Sequence, residues 1–173
     1  MKLQLSTDWK EFLHALIARR VRFVLVGGHA VAAWGEPRMT EDLDVLVGPS
    51  LANARRLRRA LADFGFGDIA PTAEDFLDER KVWMLGRKPN RIDILTAIDG
   101  VSFAAVWRGR VPIDFDGGEL FIIGREELLA NKRAARRPKD LADVAAIERM
   151  PAASSTPGAR KAATAKKKAR QRR

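Results

Sequence analysis

Phe23-Val24-Leu25-Val26-Gly27-Gly28, followed by Glu41-Asp42-Leu43-Asp44-Val45-Leu46-Val47, is the stretch on which the reading of this chain turns. The first run is apolar and rich in β-branched residues, and it stops at two glycines. The second alternates acid with aliphatic. In a strand, an i, i+2 spacing puts Asp42 and Asp44 on one face and Leu43 and Val45 on the other. Two carboxylates that close repel, and one stays protonated unless a cation lies between them. An otherwise apolar strand carrying such a pair reads as a metal-holding strand. The chemistry it suits is phosphate transfer with a divalent ion.

The flanks continue the same organisation. Upstream, Ser6 or Thr7 caps a predicted helix from Trp9 to Arg20, whose Trp9, Phe12, Leu13, Leu16 and Ile17 follow helical spacing. Val21 to Val26 is a buried strand, and His29 to Trp34 a short helix after the glycines. Downstream, Ser50 caps an amphipathic helix to Phe64, with Arg55, Arg56, Arg58 and Arg59 on its solvated side. Ala73 to Arg80 reads as a short helix. Val82–Leu85 and Arg91–Leu95 form a hairpin around Lys88-Pro89-Asn90, and Val111–Phe115 and Glu119–Ile123 form a second. Val101 to Trp107 fits either helix or strand. Two helices close the body, Arg125 to Arg136 and Pro138 to about Met150. Early alternation of strand and helix with later hairpins predicts an α/β (α+β) fold. It has a small mixed β-sheet of about five strands with helices packed on it.

Composition sets further bounds. The 173 residues suit one domain, here 1–150, with a tail at 151–173. There is no Cys, so disulfides, thiolate metal sites and a Cys nucleophile are excluded. The N-terminus lacks the apolar core of a signal peptide, and no run approaches the roughly 20 apolar residues of a membrane span. A cytoplasmic location with no membrane contact is expected. The net charge of +10 is misplaced if spread over the chain. Residues 151–173 hold eight Lys or Arg and no acid, leaving 24 basic against 22 acidic residues in the body. That tail, made of Ala, Ser, Thr, Pro, Lys and Arg, cannot bury enough apolar surface to order itself. It either touches nucleic acid nonspecifically through its charge or merely solubilises the chain. With no aromatic it cannot stack on bases.

A third acid strengthens the metal reading. Asp93 lies between Ile92 and Ile94 at the centre of a predicted strand, where an acid needs a partner. Beside the first acidic strand it would make three hard oxygen donors, suited to magnesium or manganese. Gly27-Gly28 lets backbone approach a phosphate, and the following helix aims N–H groups at it. Lys132 and Arg136 share a helix face at i, i+4 and could meet a triphosphate tail, as could Arg38. The competing reading of Asp93 is a structural salt bridge to Arg91 or another base. Asp114 and Asp116 repeat the i, i+2 spacing beside Gly117-Gly118 and read as solvated hairpin acids. Asp140 and Asp143 read as capping or ion-pairing residues of the last helices, and Trp34 as core.

Taken together, these segments resemble the nucleotidyltransferase superfamily of DNA polymerase β. Within it they are most similar to the minimal AbiEii-like enzymes associated with bacterial toxin–antitoxin loci. Gly27, Gly28, Asp42 and Asp44 match the family's first motif. Asp93 matches its third carboxylate, and Lys132 with Arg137-Pro138-Lys139-Asp140 and Asp143 resembles its C-terminal helix motif. His29 departs from the Ser common in other branches. The resemblance implies a nucleotidyltransferase-like fold over residues 10–150. It also implies metal-dependent transfer of a nucleotidyl group from NTP to a hydroxyl of RNA such as tRNA, of protein or of a small molecule. Asp42, Asp44 and Asp93 would be catalytic and hold Mg2+ or Mn2+. Gly27, Gly28, Arg38 and Lys132 would bind the NTP, and an antitoxin-like protein would be a partner. The rival is a noncatalytic nucleotide- or nucleic-acid-binding module of the same fold.

Overall fold

The structure, a computed structural model, describes residues 3, 5–35, 39–79, 81–116 and 118–150. The expectations for Arg38 and for the tail at 151–173 lie outside these residues. Six strands form one mixed sheet: β1 (Phe23–Leu25), β2 (Asp42–Val47), β3 (Val82–Leu85), β4 (Arg91–Leu95), β5 (Val111–Phe115) and β6 (Gly118–Ile122). Their order is β3-β4-β2-β1-β6-β5. The two hairpins expected from the sequence, β3–β4 and β5–β6, are antiparallel pairs. They flank a central antiparallel pair, β1–β2, to which β4 and β6 attach in parallel.

Among the described residues six α-helices accompany the sheet: α1 (Thr7–Ala18), α2 (Gly27–Trp34), α3 (Leu51–Asp63), α4 (Phe103–Gly109), α5 (Arg125–Ala135) and α6 (Pro138–Arg149). Serine starts three of them. Ser6, Ser50 and Ser102 accept the backbone N–H of Trp9, Asn53 and Ala105, each satisfying one of the donors that a helix leaves free at its first turn. Pro138 sits in the first turn of α6, where its missing N–H costs nothing. Arg136, left-handed at φ 54°, turns the chain between α5 and α6.

Three local readings differ. The glycines do not precede α2 but form its first turn, with Gly27 at φ +59°. Of the helix expected over 73–80, the described residues 73–79 hold one short 3-10 turn, Asp75–Leu77, in its place. The ambiguous segment near Val101 is the helix α4, which Ser102 caps.

One continuous core runs through the molecule. Phe12, Leu13 and Leu16 of α1, Leu57 and Leu61 of α3, and Leu43, Val45 and Ile94 of the sheet are fully or almost fully enclosed. A buried side chain of this size contributes about 2 kcal/mol. Asn53 is the polar exception. Its amide donates to the carbonyls of Arg22 and Gly48 at 3.0 Å each and accepts the N–H of Arg22 at 2.7 Å. It therefore ties the start of β1 and the end of β2 to α3, which fixes the register of the two strands that frame the acids. Trp34 is core, its indole donating to the Ile123 carbonyl at 2.8 Å. No helix of the described residues is long and apolar enough to cross a membrane.

Candidate active site

The pleat of β2 sends Leu43, Val45 and Val47 into the core and leaves Asp42 and Asp44 half-buried on the other face. β4 lies parallel to β2 with Asp42 opposite Arg91 and Asp44 opposite Asp93. The register therefore places Asp42, Asp44, Arg91 and Asp93 on a single face. A one-residue slip would exchange Asp44 and Asp93 for the aliphatics beside them, and the buried Leu43, Ile92 and Ile94 prevent it.

Gly27 closes one side. A Cβ built on it would collide with the Asp44 carboxylate, so only glycine admits this approach of α2 to β2. The Gly28 N–H points at Asp44 Oδ2 at 3.4 Å. Thr40 completes the support. Its hydroxyl lies 3.1 Å from both the Asp42 carbonyl and Asp42 Oδ1, and a Cβ on Gly28 would fall 2.6 Å from it.

α5 and α6 close the other side through a buried ion cluster. Lys132 Nζ lies 2.6 Å from Asp140 and 3.0 Å from Asp143, all three nearly solvent-free. Arg137 Nε also donates to Asp140 at 2.5 Å while most of its side chain stays exposed. Burial acts to push the Asp140 carboxyl up, but hydrogen bonds from Lys132 and Arg137 outweigh it and hold the carboxyl below its ordinary value. Asp140 and Asp143 are thus the ion-pairing residues expected of them. Gly27, Asp44, Asp93, Lys132 and Arg137 line one open cleft of about 400 Å³. Of the seven residues expected at the site, Asp42 stands on the same face, Gly28 adjoins Asp44, and Arg38 is outside the described residues.

The electrostatics of the three acids are unequal. The Arg91 guanidinium grips Asp93 with two hydrogen bonds, at 2.8 and 2.9 Å, and Asp42 Oδ2 with a third at 2.7 Å. Asp44 has no such partner among the described residues. Its carboxyl is pushed above the ordinary value by burial and then by the charge of Asp42, with a smaller push from Asp93. His29, next to the glycines, is buried against Trp9 in an edge-to-face contact at 5.2 Å. Burial pushes its pKa down to about 4, so the ring is neutral near pH 7.

Whether these acids suit a divalent ion can be judged from this arrangement. The donor type is right: hard carboxylate oxygens sharing a face, one of them uncompensated. Yet among the described residues no group of three or more acidic, His or Cys side chains is gathered closely enough to hold a metal. Arg91 instead takes Asp93 and one oxygen of Asp42. Asp42 and Asp44 are of the donor type such an ion takes, with Asp42 Oδ2 held by Arg91. Thr40 is the site residue that the sequence reading did not assign, while Arg91 was named there only as the alternative ion-pair partner of Asp93, a pair the structure contains. The i, i+2 spacing of Arg91 and Asp93 was the available signal for that pair.

The family whose description is "Nucleotidyl transferase AbiEii toxin, Type IV TA system" matches residues 11–173. No curated protein matches the sequence. Among solved structures, the lincosamide antibiotic adenylyltransferase LnuA, in its lincomycin-bound crystal structure, is similar. The TM-score is 0.49 at 13% identity, over 83% of this chain and 97% of that one.

Proposed function

This chain belongs to the AbiEii nucleotidyl transferase family, and from that membership we propose that it moves a nucleotidyl group from an NTP to a hydroxyl acceptor with the help of Mg2+ or Mn2+. The observation that carries this reading is the register of β2 on β4, which sets Asp42, Asp44 and Asp93 on one face, Asp44 and Asp93 in a cleft with Gly27 and Lys132.

Each residue then has a task. Asp42 and Asp44 would hold the cation, with Asp93 on the acceptor side. Held there, the ion would supply positive charge to the phosphoryl oxygens and ease loss of the acceptor's proton. Gly27 and Gly28 keep the backbone low so that phosphate can approach the first turn of α2. Arg137, exposed at the rim, neutralises the triphosphate directly. Lys132 acts from beneath, since its ammonium is shared between Asp140 and Asp143. Pyrophosphate leaves past the exposed Arg137 side chain.

The acceptor is RNA such as tRNA, a protein or a small molecule. Residues 151–173 would add nonspecific nucleic-acid contact, and an antitoxin-like protein would restrain the activity. A noncatalytic nucleotide-binding module is favoured by one observation, the Arg91 guanidinium on Asp42 and Asp93. One experiment separates the two readings. Labelled NTPs are offered with Mg2+ to wild type and Asp44→Asn, with total RNA and protein as acceptors. Transfer is expected from wild type, with a loss of about a hundredfold or more in the variant. Equal labelling by both proteins sinks the assignment of Asp44, and none by either sinks the enzymatic reading.

A further inference from the structure

Resting on the metal reading above, we propose that Arg91 is a built-in counterion standing in the place of the divalent cation between Asp42 and Asp93, so that the ion binds by exchange against its guanidinium. Oxygen accounting leads there. Both oxygens of Asp93 accept from Arg91, at 2.8 and 2.9 Å. Asp42 gives Oδ2 to Arg91 at 2.7 Å and Oδ1 to the Thr40 hydroxyl at 3.1 Å. Of the three acids only Asp44 keeps its oxygens clear of a side-chain donor among the described residues. A cation arriving at this face therefore meets one available carboxylate, and gains the other two only as Arg91 departs.

The position of Arg91 makes the exchange feasible. It is carried by β4 directly opposite Asp42, so the backbone need not move. Its side chain is 25% exposed, so it has an open route away from the sheet. Its three side-chain hydrogen bonds among the described residues are all to carboxylates of the site, so its release breaks no other side-chain bond among them. Planar two-pronged contact with a carboxylate is the geometry at which arginine excels, and phosphate offers it the same geometry. An incoming triphosphate would thus compensate Arg91 for the carboxylates it surrenders. Ion and nucleotide then bind each other's protein complex more tightly than either binds alone. Arg91 is in this scheme a positioning residue, acting through the ion.

Mn2+ binding to the full chain, without nucleotide and read from the free-ion EPR signal, tests this. Arg91→Gln should bind Mn2+ about tenfold more tightly than wild type, the equivalent of one charge-assisted hydrogen bond no longer to be broken. Asp44→Asn should bind more weakly. Equal affinity in wild type and Arg91→Gln, with Asp44→Asn still weaker, overturns the exchange and leaves the metal reading intact. Absence of Mn2+ binding in all three overturns both. The wild-type chain supplies a measurement that needs no variant. The Arg91 Nε–H resonance should be protected from solvent exchange without divalent ion and lose protection as Mg2+ is added. A resonance indifferent to saturating Mg2+ overturns the proposal.

Discussion

Asp44 on β2 and Asp93 on β4 are register partners in a parallel pair, and the Arg91 guanidinium serves only the second of them. Asp44 is left with burial and the charge of Asp42 pressing its carboxyl above the ordinary value. Its proton is therefore held more tightly in the fold than in the unfolded chain, and stability is lost as pH rises past the unfolded value through the folded one. At pH 7, well above the unfolded value, Asp44 is a burden on the metal-free fold. Asp44→Asn should melt at a higher temperature than wild type at pH 7 in EDTA, and the two should converge toward pH 4. A variant that melts lower at pH 7 would show that Asp44 is not the strained acid.

Gly27 tests the other side of the same carboxylate. It adopts φ +59°, and any side chain there would run into Asp44. Gly65 provides a matched comparison, with φ +91° and nothing within 4 Å of a Cβ. Gly65→Ala should cost about 1 kcal/mol of backbone strain in urea unfolding and leave nucleotide transfer intact. Gly27→Ala should cost more than that and reduce transfer by about a hundredfold, since it displaces Asp44. Equal behaviour of the two alanine variants would mean that the approach of α2 to β2 is not what holds Asp44 in place.

How much of this could be read from residue order differs between elements, for physical reasons. The strands and amphipathic helices announce themselves because their cores are built from residues of one period, as in Leu51, Ala54, Leu57 and Leu61. Asp42 and Asp44 could be put on one face because strand geometry fixes side-chain direction. The parallel docking of β4 beside β2 is a long-range pairing that no local pattern encodes, and it alone brings Asp93 opposite Asp44. Arg91 illustrates the difficulty well. Its spacing from Asp93 was legible, but its bond to Asp42 is not, because the two are 49 residues apart. Lys132 was legible as a cation near the site, whereas its two buried carboxylate partners depend on the left-handed turn at Arg136.

Those partners shape what a substitution at Lys132 would show. The ammonium lies between Asp140 and Asp143 with almost no solvent contact. Lys132→Met would leave both carboxylates buried, with Arg137 still on Asp140. A loss of about 3 kcal/mol in urea unfolding is expected, the usual cost of breaking a buried pair from one side. Adding Asp143→Asn should recover part of it. A Lys132→Met protein as stable as wild type would show that the cluster does not hold α5 on α6, and that lost transfer is then purely chemical.

His29 offers the clearest dependence on pH. The ring is 5% exposed, meets Trp9 edge to face, and leaves Nε2 without a hydrogen-bond partner among the described residues. Burial lowers its pKa to about 4 from the ordinary 6.5, with Asp42 opposing weakly. Between those values the unfolded chain takes up a proton that the fold refuses. The contribution of His29 to stability is accordingly full above about pH 6.5 and falls as pH drops, by up to about 1.4 kcal/mol per unit. The loss reaches about 3 kcal/mol near pH 4. This window lies above the one in which Asp140 loses its hold on Lys132, so the two can be separated. His29→Leu, which fills the space without a titrating group, should flatten the stability profile between pH 6.5 and 4.5 while carboxylate protonation still unfolds the protein in stronger acid. Urea unfolding of both proteins at half-unit steps decides the matter: parallel profiles would mean that the ring reaches a proton acceptor or water in the fold and carries no burial penalty.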